Sequence, residues 1–503
     1  MSQPTRSRRR IAQVGDWLHT DLRIALGVFV LLFLCYTYTL PRWADPNQNS
    51  RLDMVVAVVE DGTFQIDRYV ENTVDYARVG DHYYSDKAPG VAFLGIPIYA
   101  ATKVVLDLPV WERVVERVAQ NEALVATLRA EGTGLLVEKV RFAVAQVTLT
   151  ALLAAAPTAL IGSLLYLMLG AFTDARWPRI GLVLVYGLLT PVFAYGGALY
   201  GHQLSAACLV GAFYLLFRGE RRTGALLGVG ALLGYSVVTE YPSVLLVGIL
   251  FIYAFYRLER KERIAWVILP GALIAAGWMT YNTLIFGGPL ELGYSYSELW
   301  TEQHEAGFMS LTYPHWEAIW GITFGPFRGL FILSPILLLS LPGFVLWRRA
   351  GVHLAEWWVA VLSCGAMFLF NASSVMWWGG FAVGPRYLLP MLPFMVLPIL
   401  FVLRAASDRP WLRGAIGLLA VVSFVATWGL TLAEQAFPSD TIRNPLWEYA
   451  WPNWREGNIA RNLGMFVHLS GVWSLLPLLG TVGLLLLGLY LMAGERPVSG
   501  GAE

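Results

Sequence analysis

The apolar segment Leu22–Leu40, LRIALGVFVLLFLCYTYTL, decides the class of fold. It carries only one charged residue, and about 20 predominantly apolar residues are enough to cross the bilayer as a helix. Four arginines precede it, as in a secretory signal peptide: Arg6, Arg8, Arg9 and Arg10. No small-residue cleavage site follows, so the pattern predicts a retained first transmembrane helix.

The composition extends this prediction to the whole chain. Of 503 residues, 56% are hydrophobic and 14% are charged, whereas soluble domains carry about 25% charged residues. We therefore predict an all-α polytopic membrane protein in contact with the lipid bilayer. The 36 Lys and Arg nearly balance the 35 Asp and Glu, which argues against a nucleic-acid partner. Cys35, Cys208 and Cys364 lie in apolar runs without CxxC spacing, so they predict neither disulfides nor a metal site.

Repeated apolar stretches predict about 12 transmembrane helices. They lie near 22–41, 141–170, 180–198, 203–217, 224–238, 243–257, 264–283, 329–347, 356–372, 388–403, 414–434 and 475–493. Basic clusters separate them at Arg176 and Arg179, Arg218–Arg222, Arg257–Arg263, Arg348 and Arg349, and Arg404–Arg413. If both termini are cytoplasmic, alternating spans bring every cluster to the cytoplasmic side, as the positive-inside rule requires.

The apolar segment Val91–Leu106 tests this topology. Counting it as a span would move two basic clusters outside, so we interpret it as a helix at the outer membrane surface, followed by further amphipathic surface helices in Leu108–Lys139. The prediction is then a single transmembrane domain, 22–493, between a basic cytoplasmic N-terminus, 1–21, and a cytoplasmic tail, 494–503. Its extracytoplasmic loops are 42–140, 284–328 and 438–474.

The first outer loop holds motifs that carry a family resemblance. NSRL with Arg51 follows the first helix, EDGTF comes about a dozen residues later, and YYSDKAPG closes the polar part of the loop. GGALYGHQLSAA, Thr239–Pro242 and Arg386–Pro390 follow in order along the chain. The set resembles the GT-C superfamily of membrane glycosyltransferases, in particular the branch of the protein O-mannosyltransferases and bacterial lipid A aminoarabinose transferases. Tyr84–Pro89 is similar to that branch's Tyr-x-x-Lys-Pro-Pro motif, with Ala88 in place of the first proline.

The resemblance implies a transferase that uses a polyprenyl-phosphate-linked sugar outside the cytoplasmic membrane. The acceptor would be a cell-envelope glycan, a glycolipid or a protein. A lipid phosphate needs fixed cations, which Lys87 can supply as a point charge and Arg51 and Arg386 as planar donor forks. His202 coincides with a family acid and is a further candidate for orienting the phosphate. Other candidate site residues are Tyr84, Asp86 and Glu240, the last at a position where relatives often have lysine.

The catalytic carboxylates are the part of the family pattern that this sequence does not repeat. Where the resemblance places an acidic pair, the chain reads Asn47-Gln48-Asn49-Ser50. Asp53 and Asp67 are the predicted substitutes, because an acceptor hydroxyl needs a base. Each has a structural alternative, a polar helix face for Asp53 and a cap for Asp67. In the same way, Arg51 and Lys87 are also explained as cations binding lipid headgroups.

No cofactor is predicted, because GxxxxGK[ST], GxGxxG and HExxH are missing from the sequence, and a divalent metal is not indicated. Two alternatives to the enzyme remain open at this point. One is a transporter or flippase of lipid-linked saccharides, although the charged residues cluster at helix ends and no repeated halves are visible. The other is an assembly protein that keeps the fold without the acidic pair.

Overall fold

The computed structural model describes residues 6–120, 137–219, 222–299, 306–307 and 310–494. Its account of side chains begins at residue 19 in the first of these ranges and at residue 139 in the second. The described chain is mostly helical, as predicted. The helices are α1 Arg6–Thr37, α2 Pro46–Glu60, α3 Gly90–Leu106, α4 Pro109–Ala119, α5 Val137–Thr150, α6 Ala156–Leu169, α7 Arg176–Leu188, α8 Val192–Gly196, α9 Gly201–Phe217, α10 Thr223–Thr239, α11 Val244–Arg257, α12 Ala265–Phe286, α13 Trp316–Thr323, α14 Leu330–Leu333, α15 Ser340–Ala350, α16 Leu354–Ala372, α17 Leu392–Val396, α18 Ile399–Ala405, α19 Pro410–Leu432, α20 Trp451–Glu456 and α21 Leu476–Gly494.

Helix α1 contains the apolar segment that opened the sequence, and it packs against α6 and the C-terminal helix α21. The contact with α6 is close, because a Cβ atom at Gly162 would overlap the side chain of Leu32. The Ser163 hydroxyl donates to the carbonyl of Ala25 at 2.8 Å. A buried polar cluster lies near the start of the described side chains, where Asp21 pairs with Arg176 and Arg179. These contacts make α1 a part of the main buried core.

Several of the described helices are suited to crossing a membrane. Six are long and apolar enough to do so, and the number rises to 8 if two bent helix pairs each count as one span. One pair, Gly90–Leu106 with Pro109–Ala119, bends by 93°, and the other, Arg386–Val396 with Ile399–Ala405, bends by 43°. Helices α9 and α10 are apolar but shorter. The protein is thus a multi-pass membrane protein, while the number of 12 spans, their orientation and the surface position of Val91–Leu106 stay predictions.

The first outer loop departs from the predicted all-α class. It contains an antiparallel hairpin of β1, Tyr76–Val79, and β2, His82–Ser85, in which Tyr76 pairs with Ser85. Gly80 adopts a φ of +62° in the two-residue turn, a conformation that glycine reaches without strain. The YYSDKAPG motif therefore begins on a strand. Of the predicted surface helices, α4 is a helix, whereas residues 121–136 lie outside the described part of the chain.

A second, smaller core supports this loop. Leu52 and Val55 of α2 pack with Val91 of α3, with Leu149 of α5 and with Leu153 in the π-helical turn between α5 and α6. Helix α2 itself begins at Pro46, the first helical position, and Asp45 caps it by accepting a hydrogen bond from the amide of Gln48 at 3.1 Å. The packing holds the polar N-terminal turn of α2 against the ends of the longer helices.

Candidate active site

A cavity of about 460 Å³ lies where the first outer loop meets the ends of several later helices. Its wall is built from the N-terminal part of α2, the open end of the β-hairpin, the start of α9, the junction of α10 with α11 and the loop that follows α16. The ionisable side chains in this wall, apart from tyrosines, are Asp45, Arg51, Asp75, Lys87, His202, Glu240 and Arg386. Five of the nine candidate residues selected from the sequence therefore share one cavity: Arg51, Lys87, His202, Glu240 and Arg386.

Arg51 and Glu240 form a buried ion pair at one side of the cavity. The Arg51 Nη2 atom lies 3.2 Å from the Glu240 Oε1 atom, and the arginine side chain is 2% exposed. His202 approaches the same carboxylate oxygen, with its Nδ1 atom 3.5 Å away. Burial raises the pKa of Glu240, and the neighbouring cations, led by Arg51, oppose that rise. The carboxylate thus neutralises one of the predicted phosphate-binding cations.

Lys87 lies between two carboxylates from the open end of the hairpin. Its Nζ atom is 2.9 Å from Asp75 and 3.1 Å from Asp86. Asp75 directly precedes β1 and Asp86 directly follows β2, so the pairing of Tyr76 with Ser85 brings the two acids together. Burial lowers the pKa of Lys87, but the two carboxylates outweigh it and the pKa is raised overall. Lys87 is therefore a fixed positive charge in the wall.

Arg386 differs from the other two cations because no carboxylate in the described ranges lies within ion-pair distance of it. Its guanidinium lies instead over the rings of Tyr200, at 5.3 Å, and Tyr387, at 5.4 Å. Its buried Nε atom has no hydrogen-bond partner in the described structure. A half-buried guanidinium that lies against aromatic rings and has no carboxylate partner keeps hydrogen-bond donors available for an anion.

Asp45 is the carboxylate closest in sequence to the missing acidic pair. One of its oxygens accepts the helix-capping hydrogen bond from Gln48, and the other accepts a hydrogen bond from the Tyr200 hydroxyl at 2.7 Å. Burial raises the pKa of Asp45, while the hydrogen bonds from Tyr200 and Gln48 oppose the rise. Since Tyr200 also lies under Arg386, the tyrosine joins an acid and a cation of the same cavity.

The run Asn47–Ser50 is a buried hydrogen-bonding hub. Asn47 accepts two hydrogen bonds from Arg51, and Gln48 accepts from the amide of Leu199 while donating to the carbonyl of Arg42. Asn49 donates to the carbonyls of Trp43 and Asn72, both at 2.8 Å, and the hydroxyls of Ser50 and Ser85 lie 2.8 Å apart. An ionised carboxylate cannot donate, so acids at positions 48 and 49 would lose the hydrogen bonds that Gln48 and Asn49 donate to backbone carbonyls. Amides in place of the expected acidic pair therefore have a structural reason.

The two predicted catalytic acids, Asp53 and Asp67, do not line the cavity. Asp53 is fully buried on α2 and accepts a hydrogen bond from Asn72 at 3.1 Å. Asp67 is exposed and binds the ring of His82 at 2.7 Å as well as a backbone amide of β2. Neither contact faces the cluster of cations, so the catalytic role of both acids stays a prediction without support from the geometry.

The remaining candidates take supporting positions. Tyr84 lies on β2, outside the cavity, with its hydroxyl 3.4 Å from Gln65 and its ring against Phe286. Asp86 is buried and does not line the cavity, but it holds Lys87 from behind. Asp45 and Asp75 are the site residues that the sequence interpretation missed. The Asp-Pro pair that starts α2 could have revealed the first, and the Gly-Asp turn between two alternating segments could have revealed the second.

The opposite wall of the cavity is apolar and reaches the outside of the helix bundle. Val244 and Leu245, at the start of α11, are 53% and 40% exposed, and Leu299 and Phe381 are also exposed. The cavity is therefore polar and charged on one side and open to an apolar surface on the other. Among the described residues, no group of three or more His, Cys, Asp and Glu side chains is arranged to hold a metal ion.

Comparisons with known proteins give structural matches alone. No family model matches the chain, and no curated protein matches it in sequence. The chain is similar to ArnT from Cupriavidus metallidurans in the apo state, with a TM-score of 0.47 and 15% identity over 95% of this chain and 76% of that one. The structure of that protein bound to undecaprenyl phosphate gives a TM-score of 0.44 and 15% identity over the same shares of the two chains. The Archaeoglobus fulgidus oligosaccharyltransferase tethered with an acceptor peptide is similar with a TM-score of 0.43 and 9% identity. The match covers 82% of this chain and 54% of that one. All of these matches are below 25% identity, so they describe a similarity of structure alone.

Proposed function

We propose that the protein is a GT-C-type glycosyltransferase that moves a sugar from a polyprenyl-phosphate-linked donor to a cell-envelope acceptor. The acceptor is a glycan, a glycolipid or a protein. In this proposal the chain crosses the cytoplasmic membrane about 12 times, both termini are cytoplasmic, and the cavity faces the extracytoplasmic side. The basic clusters between the apolar segments support this orientation.

The observation that carries the proposal is the position of Arg386. Its guanidinium is the cavity cation without a carboxylate partner in the described part of the chain, and Tyr200 and Tyr387 hold it from two sides. The phosphodiester of the donor and the polyprenyl phosphate that leaves are both anions, and a guanidinium binds phosphate oxygens with two parallel hydrogen bonds. Arg51 and Lys87 add positive charge to the same wall, although each is neutralised in part by an acid.

The apolar side of the cavity supports a lipid-linked donor rather than a soluble one. Val244 and Leu245 continue from the cavity to the surface of the helix bundle, where a polyprenyl chain would lie along them. A phosphate near Arg386 would then be anchored at the membrane surface, and the sugar would lie within the charged part of the cavity. This arrangement matches a substrate with an apolar tail and a polar head.

The proposed reaction is a displacement at the anomeric carbon. The acceptor hydroxyl forms the new C1–O bond, the bond from C1 to the phosphate oxygen breaks, and the polyprenyl phosphate leaves with the bonding electrons. Arg386 stabilises the charge that develops on the phosphate. The hydroxyl proton passes to a carboxylate, for which we propose Asp45, because burial raises its pKa towards the range in which a base is effective. Asp75 is a less suitable candidate, because its carboxylate already forms an ion pair with Lys87.

The proposal is tested with purified protein in lipid nanodiscs. Undecaprenyl phosphate is titrated first, and a panel of radiolabelled polyprenyl-phosphate sugars is then assayed for transfer and hydrolysis. We expect the parent protein to bind the lipid phosphate and Arg386→Ala to bind it about 10- to 100-fold more weakly, as expected for loss of charge-assisted hydrogen bonds. Arg443→Gln is the matched control, because Arg443 is exposed and does not line the cavity. A parent protein that binds no polyprenyl phosphate would overturn the proposal, and binding without transfer or hydrolysis would favour the assembly protein.

A further inference from the structure

Arg328 is a buried cation outside the cavity whose hydrogen bonds all go to backbone carbonyls. It is 1% exposed and donates to the carbonyls of Phe327, Trp378, Gly380 and Pro438, at 3.3, 3.2, 2.8 and 3.4 Å. No carboxylate in the described ranges lies within ion-pair distance of it. One guanidinium therefore joins three separate segments of the chain: the segment before α14, the loop after α16 and the loop after α19.

The guanidinium of Arg328 is charged although it is buried, and its hydrogen bonds to carbonyls offset the cost of removing that charge from water. Burial lowers the pKa of Arg328 to about 10, so the group is still charged near neutral pH. Its guanidinium also stacks on the ring of Phe327 at 4.0 Å, while Arg443 covers the same ring at 5.0 Å. The planar fork of arginine donates to carbonyls from three separate nitrogen atoms in fixed directions, whereas lysine donates from a single nitrogen atom.

The loop held by Arg328 touches Arg386 directly. Gly379 and Gly380 adopt φ values of +70° and +64°, the left-handed region that favours glycine. The carbonyls bound by Arg328 belong to Trp378 and Gly380, the two neighbours of Gly379. A Cβ atom on Gly379 would lie 3.0 Å from the Nε atom of Arg386, so the backbone of Gly379 packs against the cavity arginine.

We propose that Arg328 is a positioning residue that fixes the Trp378–Gly380 loop and thereby the guanidinium of Arg386 over Tyr200 and Tyr387. The inference rests on the proposed function, because it assigns to Arg386 the binding of the donor phosphate. Arg328 itself does not line the cavity and does not touch the ligand. Its effect on phosphate binding is transmitted through the carbonyls of the loop.

The test is a double-mutant cycle with undecaprenyl phosphate as the probe, titrated into protein in nanodiscs. The variants are Arg328→Lys, Arg386→Ala and the double variant, and Arg443→Gln is the control that changes the other cation on Phe327. Arg328→Lys keeps the positive charge but loses the planar guanidinium that donates to the four carbonyls. We expect it to weaken binding about tenfold, or about 1.4 kcal/mol. The double variant should bind no more weakly than Arg386→Ala alone, because a residue that acts only through Arg386 has nothing left to position.

The outcomes separate this inference from the proposed function. If the parent protein binds no undecaprenyl phosphate, the proposed function is wrong. If Arg386→Ala loses affinity but Arg328→Lys binds like the parent, the proposed function stands and the positioning role is wrong. A double variant whose loss is the product of the two single losses also overturns the positioning role, since it would mean that Arg328 acts independently of Arg386.

Gly380→Ala provides a second route in case Arg328→Lys does not fold. A Cβ atom at Gly380 meets nothing within 4 Å, so the substitution strains only the backbone at its positive φ. It disturbs the loop while leaving both arginines in place. We expect a loss of affinity that again disappears in the presence of Arg386→Ala, and unchanged affinity in folded Gly380→Ala would contradict the positioning role.

Discussion

The guanidinium of Arg51 lies 3.2 Å from the carboxylate of Glu240, and the two residues are 189 positions apart in the chain. The pair joins α2 to the junction of α10 and α11, and both side chains are almost fully buried. Removing one partner of a buried ion pair leaves an uncompensated charge, which is costly. The pair therefore supports the shape of the cavity as well as its charge.

Substitution of Glu240 by alanine tests the contribution of this pair. We expect Glu240→Ala to lower the free energy of unfolding by about 3 kcal/mol, because Arg51 would be left buried without its counter-ion. Thermal unfolding in detergent, followed by size-exclusion chromatography, measures the effect. Asp61→Asn is the control: its ion pair with Arg68 is exposed, and such pairs contribute less than about 1 kcal/mol. Equal effects of the two substitutions would contradict the structural role of the buried pair.

Substitution of Asp45 by asparagine tests the proposed base. We expect the rate of transfer to fall at least about 100-fold while undecaprenyl phosphate still binds, because general base catalysis contributes about 10²- to 10⁴-fold. In the parent protein, the acid limb of the pH–rate profile should lie above the pKa of an ordinary aspartate, since burial raises the pKa of Asp45. Asp75→Asn serves as the comparison. If it abolished transfer and Asp45→Asn did not, the base would be Asp75.

The buried carboxyl group of Asp53 should make the free energy of unfolding depend on pH. Burial raises its pKa to about 8, well above the value in an unfolded chain, while the hydrogen bond from Asn72 opposes the rise. Between roughly pH 4 and pH 8 the folded protein retains a proton that the unfolded chain releases, so the free energy of unfolding falls as the pH rises, by up to about 1.4 kcal/mol per unit.

The variant Asp53→Asn should remove this slope, because asparagine does not ionise. Melting temperatures between pH 5 and pH 8 provide the measurement. We expect the melting temperature of the variant to rise relative to that of the parent as the pH increases. Parallel curves for the two proteins would show that the carboxyl group does not titrate in this window. Donor binding should be unchanged at pH 6, since Asp53 does not line the cavity.

Substitution of Gly293 by alanine tests whether the backbone around Asp86 and Lys87 positions the site. A Cβ atom at this position would lie 2.9 Å from the Cα atom and from the carbonyl oxygen of Asp86, which are backbone atoms that cannot move independently. Gly293→Ala should shift Asp86 and Lys87 and reduce donor affinity about tenfold. Gly277→Ala is the matched control, because a Cβ atom there meets nothing within 4 Å and alanine favours the helix. An unchanged affinity in Gly293→Ala would mean that Lys87 is not required for binding.

Much of the cavity could be predicted from local motifs. Arg51, Lys87, His202, Glu240 and Arg386 each lie beside a helix end or a turn that the sequence makes visible, and all five share the cavity. The helical membrane class followed from composition in the same way. The five site residues could be predicted because each lies in a short segment whose residue types alone indicate a turn or a helix end.

The acids could not be assigned in the same way, because their positions depend on long-range contacts. Asp75 reaches Lys87 only because the register of the hairpin aligns Tyr76 with Ser85. Asp53 appeared suitable from its distance to Arg51 in sequence, yet its place on α2 directs it towards Asn72. The amphipathic pattern near Arg51 did not show which side of α2 faces the cavity.

The hydrogen-bonding hub Asn47–Ser50 has a consequence for how the protein responds to ligand. Its four side chains bind four separate segments around the cavity, at Arg51, Leu199, Asn72 and Ser85, of which Arg51 lines the cavity. A ligand that orders one of these segments also restrains the other three. A second ligand that binds to them then has less conformational entropy to remove. Donor and acceptor would then bind with positive cooperativity even without a visible change in shape, and slower amide hydrogen exchange at all four segments on adding either ligand would be its signature.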